Sequence, residues 1–197
     1  MKQQKLIQKF INDELLDQKI FLLQNEIIED IIKNTKNKTP NQIKMLNNTI
    51  LPRIALYKAL NEFYNQDESY AIMEKYMYEV IGKNKNKSMI KMEKVPCFYF
   101  LYSKIFIHIM KTTDLQKSNT EYDKKYYNVT ITKCLWHDAC VDNGCPELCR
   151  LFCDVDNITY DGLKKIGFSR TKTLGYGNDK CDFHFYKKVE INLLSYN

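Results

Sequence analysis

The run KCLWHDACVDNGCPELCRLFCDVDN, Lys133 to Asn157, carries five of the seven cysteines, one of the three histidines and the only tryptophan. Thiols and carboxylates this close together could ligate a metal, form disulfides or do nucleophilic chemistry, and spacing is the first test of each. Structural zinc sites pair their ligands two to four residues apart in two separated groups. Cys134, Cys140, Cys145, Cys149 and Cys153 contain no C-x-x-C pair, and Cys181 stands far from them. His137 lies midway between Cys134 and Cys140, and thiols at i, i+4 on a helix can take a soft metal. Zinc or a soft metal is therefore allowed but not required, and the sequence demands no cofactor.

Disulfides fit less well. The opening MKQQKLIQKFINDELLDQ mixes charges among its apolar positions and contains neither a signal-peptide core nor a membrane span. A cytoplasmic location is the expectation, and there an odd number of cysteines reads as free thiols.

Nucleophilic chemistry asks for a thiol beside a base or at the positive end of a helix. Pro146 suits a first helical position, which puts Cys145 at or beside the cap of a helix CPELCRLFC. Cys145, Cys149 and Cys153 then share one face, drifting by about 40° per step. His137 is a candidate base, and Asp138, Asp154 and Asp156 supply carboxylates. The competing reading is packing, since cysteine is a common small buried residue and Trp136 suits a core or rim position.

The elements that must position these groups divide the chain. Apolar residues from Leu6 through Leu15, Leu22 and Ile32 recur at helical steps, and that broad stripe must cap a sheet or pair with a second copy in a homodimer. Thr39-Pro40 starts another helix, Pro52 kinks or breaks it, and a further helix ends before Gly82. KNKNKSMIKMEK, from Lys83, reads as a solvated loop entering the next helix. CFYFLYSKIFIHIM reads as a buried helix or strand, its length favouring helix and its aromatics strand, with His108 packed inside it. YYNVTITKC alternates as a strand ending at Cys134. A short helix from Ile158 to Lys165 follows the cysteine helix, and FSRTKTL and CDFHFYKK form a hairpin across GYGNDK. The fold class is α+β, a helical N-terminal region packed on a small antiparallel sheet. Residues 1–120 are mainly helical and 121–197 form the cysteine-rich α+β region, together making one compact domain.

Residues 1–133 hold 22 Lys and Arg against 15 Asp and Glu, so the net charge of +6 belongs to the helical part. A nucleic-acid binder would place its charge beside its specific groups, and here the cysteine-rich part is nearly neutral. No nucleic acid and no membrane are expected as partners. A small molecule is.

The residues Cys134 after a strand, GCPELC at Gly144 to Cys149, FCDVD at Phe152 to Asp156, FSRTKTL at Phe168 to Leu174 and GNDKCDF at Gly177 to Phe183 resemble the L-2-amino-thiazoline-4-carboxylic acid hydrolase family. The resemblance covers about the last third of the chain. It implies hydrolysis of a cyclic amidine-like C=N, at a C–N bond, that opens a thiazoline-type ring or a related sulfur heterocycle to a carbamoyl-cysteine. The motif positions it transfers are Cys153, Asp156, Cys181 and Asp182, with Cys134 and His137 as further catalytic candidates and Arg170 as a bidentate partner for the substrate carboxylate. Cys145 joins Arg170 and Asp182 on the substrate-binding side. The alternative is a non-catalytic small-ligand or metal-sensing module using the same cysteine-rich cavity. In either case Cys134, Cys153 and Cys181 should converge, because a strand end, a helix and a strand start can surround one pocket.

Overall fold

The computed structural model describes residues 2–188. Helices α1 (Lys2–Asp13), α2 (Lys19–Asn34), α3 (Pro40–Met45), α4 (Leu51–Asn61), α5 (Gln66–Lys75), α6 (Lys83–Met92) and α7 (Phe98–Thr112) precede strands β1 (Gln116–Tyr122) and β2 (Tyr126–Cys134). After these come α8 (Leu135–Asp142), α9 (Cys149–Tyr160), β3 (Ile166–Ser169) and β4 (Cys181–Lys187). The strands form one antiparallel sheet in the order β1-β2-β4-β3. The fold is α+β. The 120/121 boundary drawn from composition falls inside β1, and residues 189–197 of the C-terminal region lie outside the described residues.

The prolines and glycines act differently from their sequence reading. Thr39 caps α3 through a reciprocal capping box with Gln42, and Pro40 occupies the first turn as expected. Pro52, by contrast, does not end the helix. A π-helical segment, Leu46–Ile50, widens the turn just before it, which removes the clash and the missing donor from the regular ladder. A second π segment, Tyr76–Gly82, joins α5 to α6, so the chain is helical straight through Gly82 and KNKNKSMIKM is helix rather than loop. Gly82 is needed for packing: a Cβ there would lie 2.9 Å from Cγ2 of Ile158 on α9. Between α1 and α2 the chain breaks at Leu15, whose φ is 55° and whose side chain is 91% exposed.

The core has two parts. Ile7, Phe10 and Ile11 of α1, Ile20 and Ile28 of α2 and most of α4 make an aliphatic core that reaches Leu148, Leu151 and Val155. The apolar residues of α1 are thus buried against other helices of its own chain rather than against the sheet. The other part is aromatic. Tyr99 and Phe106 of α7 pack on Tyr127, Phe185 and Tyr160, with the Tyr127 and Phe185 rings stacked at 4.6 Å. Because α7 turns that face to the sheet, Leu101, Ile105 and His108 point away from it and are exposed, which corrects the expectation of a packed histidine.

Three further corrections concern the C-terminal region. QKSNTEY, not recognised as a strand from its polar composition, becomes β1 by pairing along β2. Helix α9 runs without interruption to Tyr160, replacing the two short helices expected there. The anticipated hairpin pairs as β3 with β4, but β3 stops at Ser169, and residues 170–180 form a loop containing a 3-10 turn at Leu174–Tyr176. No helix among the described residues is long and apolar enough to cross a membrane.

Candidate active site

The aliphatic and aromatic cores do not close completely against each other. Between them lies a cavity of about 280 Å³, whose wall includes Cys134, Cys153, Asp156 and Cys181. Each arrives by a separate route. Cys134 is the last residue of β2 and the N-cap of α8, so its thiol faces the backbone N–H groups of Trp136 and His137. Cys181 starts β4 directly opposite Ile131, and its sulfur accepts the Leu174 N–H at 3.4 Å. Cys153 and Asp156 project from α9 at i and i+3, the spacing that puts two side chains on one helical face. A larger and more open groove of about 1030 Å³, between α2, α4 and α8, holds none of the cysteines.

Burial governs the ionisation of this wall. It pushes the Cys134 thiol up to about 12, with the His137 and Trp136 N–H groups pulling the other way. Cys181 is raised by burial as well. Asp156 is raised by loss of water, against the opposing pull of Lys85 and Arg170, so its protonated form persists above the ordinary carboxylate range. Cys153 is raised first by its hydrogen bond to Cys149 and then by burial.

Behind the wall stands a row of thiols. Cys149, the first residue of α9, has Cys140 on one side and Cys153 on the other, and Cys140 also meets Cys145. Hydrogen bonds from Cys140 and Cys153 lower the pKa of the Cys149 thiol, with burial opposing them. The start of a helix favours the same thiolate. Cys149 therefore accepts the hydrogen bond of the cavity-facing Cys153 from directly behind it. The 3-10 turn after β3 closes this corner: a Cβ on Gly175 would meet the Cys153 sulfur at 2.9 Å and the Cys149 carbonyl at 3.0 Å.

Four of the residues singled out from sequence are elsewhere. Cys145 is buried at the cap of the 3-10 turn Pro146–Leu148, one turn too early to head α9. His137 is on α8 outside the cavity wall, with Nδ1 3.6 Å from Oδ1 of Asp138. Asp182 organises the loop after β3, accepting the backbone N–H groups of Thr171 at 2.8 Å and Lys172 at 2.6 Å. Those bonds and the Thr171 hydroxyl hold its carboxyl below the usual range, although burial works against them.

Arg170 is neither a solvent-facing edge residue nor a wall residue. Its side chain is 6% exposed and donates from Nη2 to Asp154 Oδ1 at 2.9 Å, while Nη1 lies 4.0 Å from Asp156 Oδ2. The strand ends before Arg170, so strand alternation does not set its direction. Asp154 anchors it, itself accepting the hydroxyls of Tyr78 and Tyr176. Arg170 thus braces Asp156 from behind.

Sequence reasoning missed two cations of the wall, Arg53 and Lys85. Lys85 presents accessible area where it lines the cavity, yet loss of water lowers its ammonium pKa, with Asp156 opposing. Arg53 had a legible signal: it is the one charge in LPRIALY, an otherwise apolar helical run. Gly175 had none, because its role exists only through contact with α9. Among the described residues no group of three or more His, Cys, Asp or Glu side chains is placed to hold a metal ion.

The family model described as L-2-amino-thiazoline-4-carboxylic acid hydrolase matches residues 42–185. The chain belongs to this family. The match extends well beyond the last third of the chain, where the resemblance was legible, and takes in the helices that carry Arg53 and Lys85. No curated protein matches the chain. Among solved structures, it is similar to the Fe(II) unliganded H-NOX protein from K. algicida at 11% identity and a TM-score of 0.31, over 87% of this chain and 94% of that one. An H-NOX protein from S. oneidensis in the Fe(II) ligation state matches at 10% identity and a TM-score of 0.30, over 97% of both chains. Likeness that low carries no argument about fold or ligand. For this member of the hydrolase family, the site rests on its own geometry.

Proposed function

We propose that the cavity between the two cores hydrolyses a thiazoline-type ring, L-2-amino-thiazoline-4-carboxylate or a related sulfur heterocycle, to a carbamoyl-cysteine. The observation that carries this reading is the placement in one cavity wall, on one face of α9, of the Cys153 thiol and of Asp156, whose carboxyl is kept protonated by burial. The amidine carbon C2 is the electrophile of such a ring. Cys153 adds to C2 while Asp156 donates its proton to the ring nitrogen and takes up the thiol proton in its place. Collapse of the adduct breaks the C2–S bond of the ring, and the ring sulfur leaves as a thiol with the proton held by Asp156. Water then displaces Cys153 from that carbon, which becomes the carbonyl of the carbamoyl group, and the protons return to Cys153 and Asp156. One water is consumed overall. Cys134 and Cys181 line the same cavity beside Cys153.

The raised pKa values of Cys134 and Cys153 favour a second reading, a cavity that binds a small ligand without turning it over. One experiment separates the two. The purified protein is incubated with a large excess of L-2-amino-thiazoline-4-carboxylate, and products are followed by mass spectrometry. Hydrolysis gives many turnovers of a species heavier by one water, and Cys153→Ala abolishes them. Saturable binding with no product would leave the binding module and remove the hydrolase.

A further inference from the structure

We infer that Arg53 is the anchor for a substrate carboxylate, and that it makes this cavity selective for small monoanions over neutral rings of the same shape. The inference deepens the hydrolase reading, on which it rests for the identity of the ring.

Arg53 is 6% exposed, within a stretch of α4 whose neighbours Leu51, Ile54, Ala55 and Leu56 are at most 1% exposed. A guanidinium cannot lose its proton, so its burial has to be compensated. The compensation available is partial. Nη2 donates to Gln3 Oε1 at 3.3 Å, the guanidinium carbon lies 5.6 Å from the centre of the Phe152 ring, and the Tyr76 hydroxyl is close by. Nε is buried with no hydrogen-bond partner. Among the described residues no carboxylate pairs with Arg53. Burial accordingly bears on this guanidinium most heavily of all the influences on it.

The contrast with Arg170 is informative. Arg170 is equally buried but has an ion-pair partner in Asp154 at 2.9 Å, although its Nη1, 4.0 Å from Asp156, makes no hydrogen bond. Arg53 has no such partner, and unlike Arg170 it lines the cavity. Lys85 also lines the cavity but is an exposed residue, so its charge is not confined there. An unpaired buried cation opening into a cavity is completed by an anion of the ligand, and a planar fork suits a carboxylate. Phe152, over which the guanidinium lies, immediately precedes Cys153. Arg53, Phe152, Cys153 and Asp156 line one cavity of about 280 Å³, so a carboxylate held at Arg53 shares it with the thiol and the carboxyl of α9.

The test compares three probes by calorimetry: L-2-amino-thiazoline-4-carboxylate, 2-amino-thiazoline without the carboxylate, and thiazolidine-4-carboxylate, which keeps the carboxylate but has no amidine. Wild-type protein should bind both carboxylates and prefer the first over the neutral ring by about 30-fold or more, the loss expected when one partner of a buried charge pair is removed. Arg53→Met should bind carboxylate and neutral ring alike. Arg53→Lys, which keeps the charge and is the variant to read if Arg53→Met does not fold, should fall between, and Lys85→Met should retain most of the preference. Where turnover exists, Arg53→Lys should raise KM far more than it lowers kcat. Binding of the carboxylates without hydrolysis would sink the hydrolase reading and leave the anchor standing. Equal binding of the neutral ring by wild type, no binding of either carboxylate, or a preference lost in Lys85→Met but kept in both Arg53 variants would overturn the anchor.

Discussion

The seven cysteines include two neighbouring sets that differ by one layer of packing. Cys134, Cys153 and Cys181 meet at the cavity, whereas Cys140, Cys145 and Cys149 are packed behind it, around the first turn of α9. The front set comes from a strand end, a helix and a strand start, so it assembles only when the sheet docks on the helices. The rear set comes from α8, the following turn and α9, within a short stretch of chain. Residue type does not separate them. Access does: the front set lines the cavity and the rear set is packed behind it.

The largest expected difference between the sets is in turnover. Cys153→Ala should reduce hydrolysis to background while unfolding at nearly the wild-type urea concentration. Cys140→Ala should keep hydrolysis and lose about 1 kcal/mol in a urea titration, an ordinary cost for trimming a buried side chain. Equal loss of activity in the two variants would dissolve the distinction between front and rear.

Next in size is Asp156→Asn, which should slow turnover by about 10²- to 10⁴-fold, the usual worth of a positioned acid. The sign of its pH dependence follows from burial. A raised pKa keeps Asp156 protonated above the ordinary carboxylate range, so wild-type activity should hold there and fall as pH rises through the raised value. Asp156→Asn should flatten that alkaline limb. Stability moves the same way: the folded state holds this proton more tightly than the unfolded chain, so the contribution is complete at low pH and is lost as Asp156 ionises. An alkaline limb unchanged in the variant would show that another group sets it.

Gly175→Ala probes the boundary itself, since the new methyl would press on the Cys153 sulfur and the Cys149 carbonyl. Overpacking of this kind costs about 1–3 kcal/mol. The same change at Gly177, whose would-be Cβ meets no atom within 4 Å, strains a φ of 79° without touching either thiol. Comparing the two by turnover per folded molecule isolates the contact from the backbone strain.

The smallest effect is in labelling. A small alkylating reagent followed by peptide mass spectrometry should modify exposed Cys97 first, then the cavity thiols Cys153 and Cys134, and leave Cys140 and Cys145 untouched until the protein unfolds. Bound carboxylate ligand should protect Cys153 and not Cys97. Labelling of Cys140 at the rate of Cys153 would mean the rear set is not sealed.

By itself the sequence determined the parts of this protein that depend on local pattern. Amphipathic spacing specified the helices, Thr39-Pro40 and its capping box the start of α3, β-branched alternation the strand ending at Cys134, and a handful of motif residues the family. The α+β class followed from their order. Even the placement of Cys153 and Asp156 on one side of α9 was implicit in their separation along a helix.

What tertiary structure decided was everything that depends on which surfaces meet. Pro52 and Gly82 carry breaking signals, but packing offsets the cost by inserting a π turn before one and setting Ile158 against the other. QKSNTEY is a strand because β2 offers it a row of backbone partners, which no side-chain pattern announces. Arg170, Asp182 and His137 have the chemistry of site residues, yet local hydrogen bonds and ion contacts direct them elsewhere. Arg53 and Gly175 matter because one carries an uncompensated charge into the cavity and the other lets a loop touch α9. Burial is the common physical reason. It fixes which charges must find partners and which thiols can meet a ligand, and it arises only when segments far apart in the chain come together.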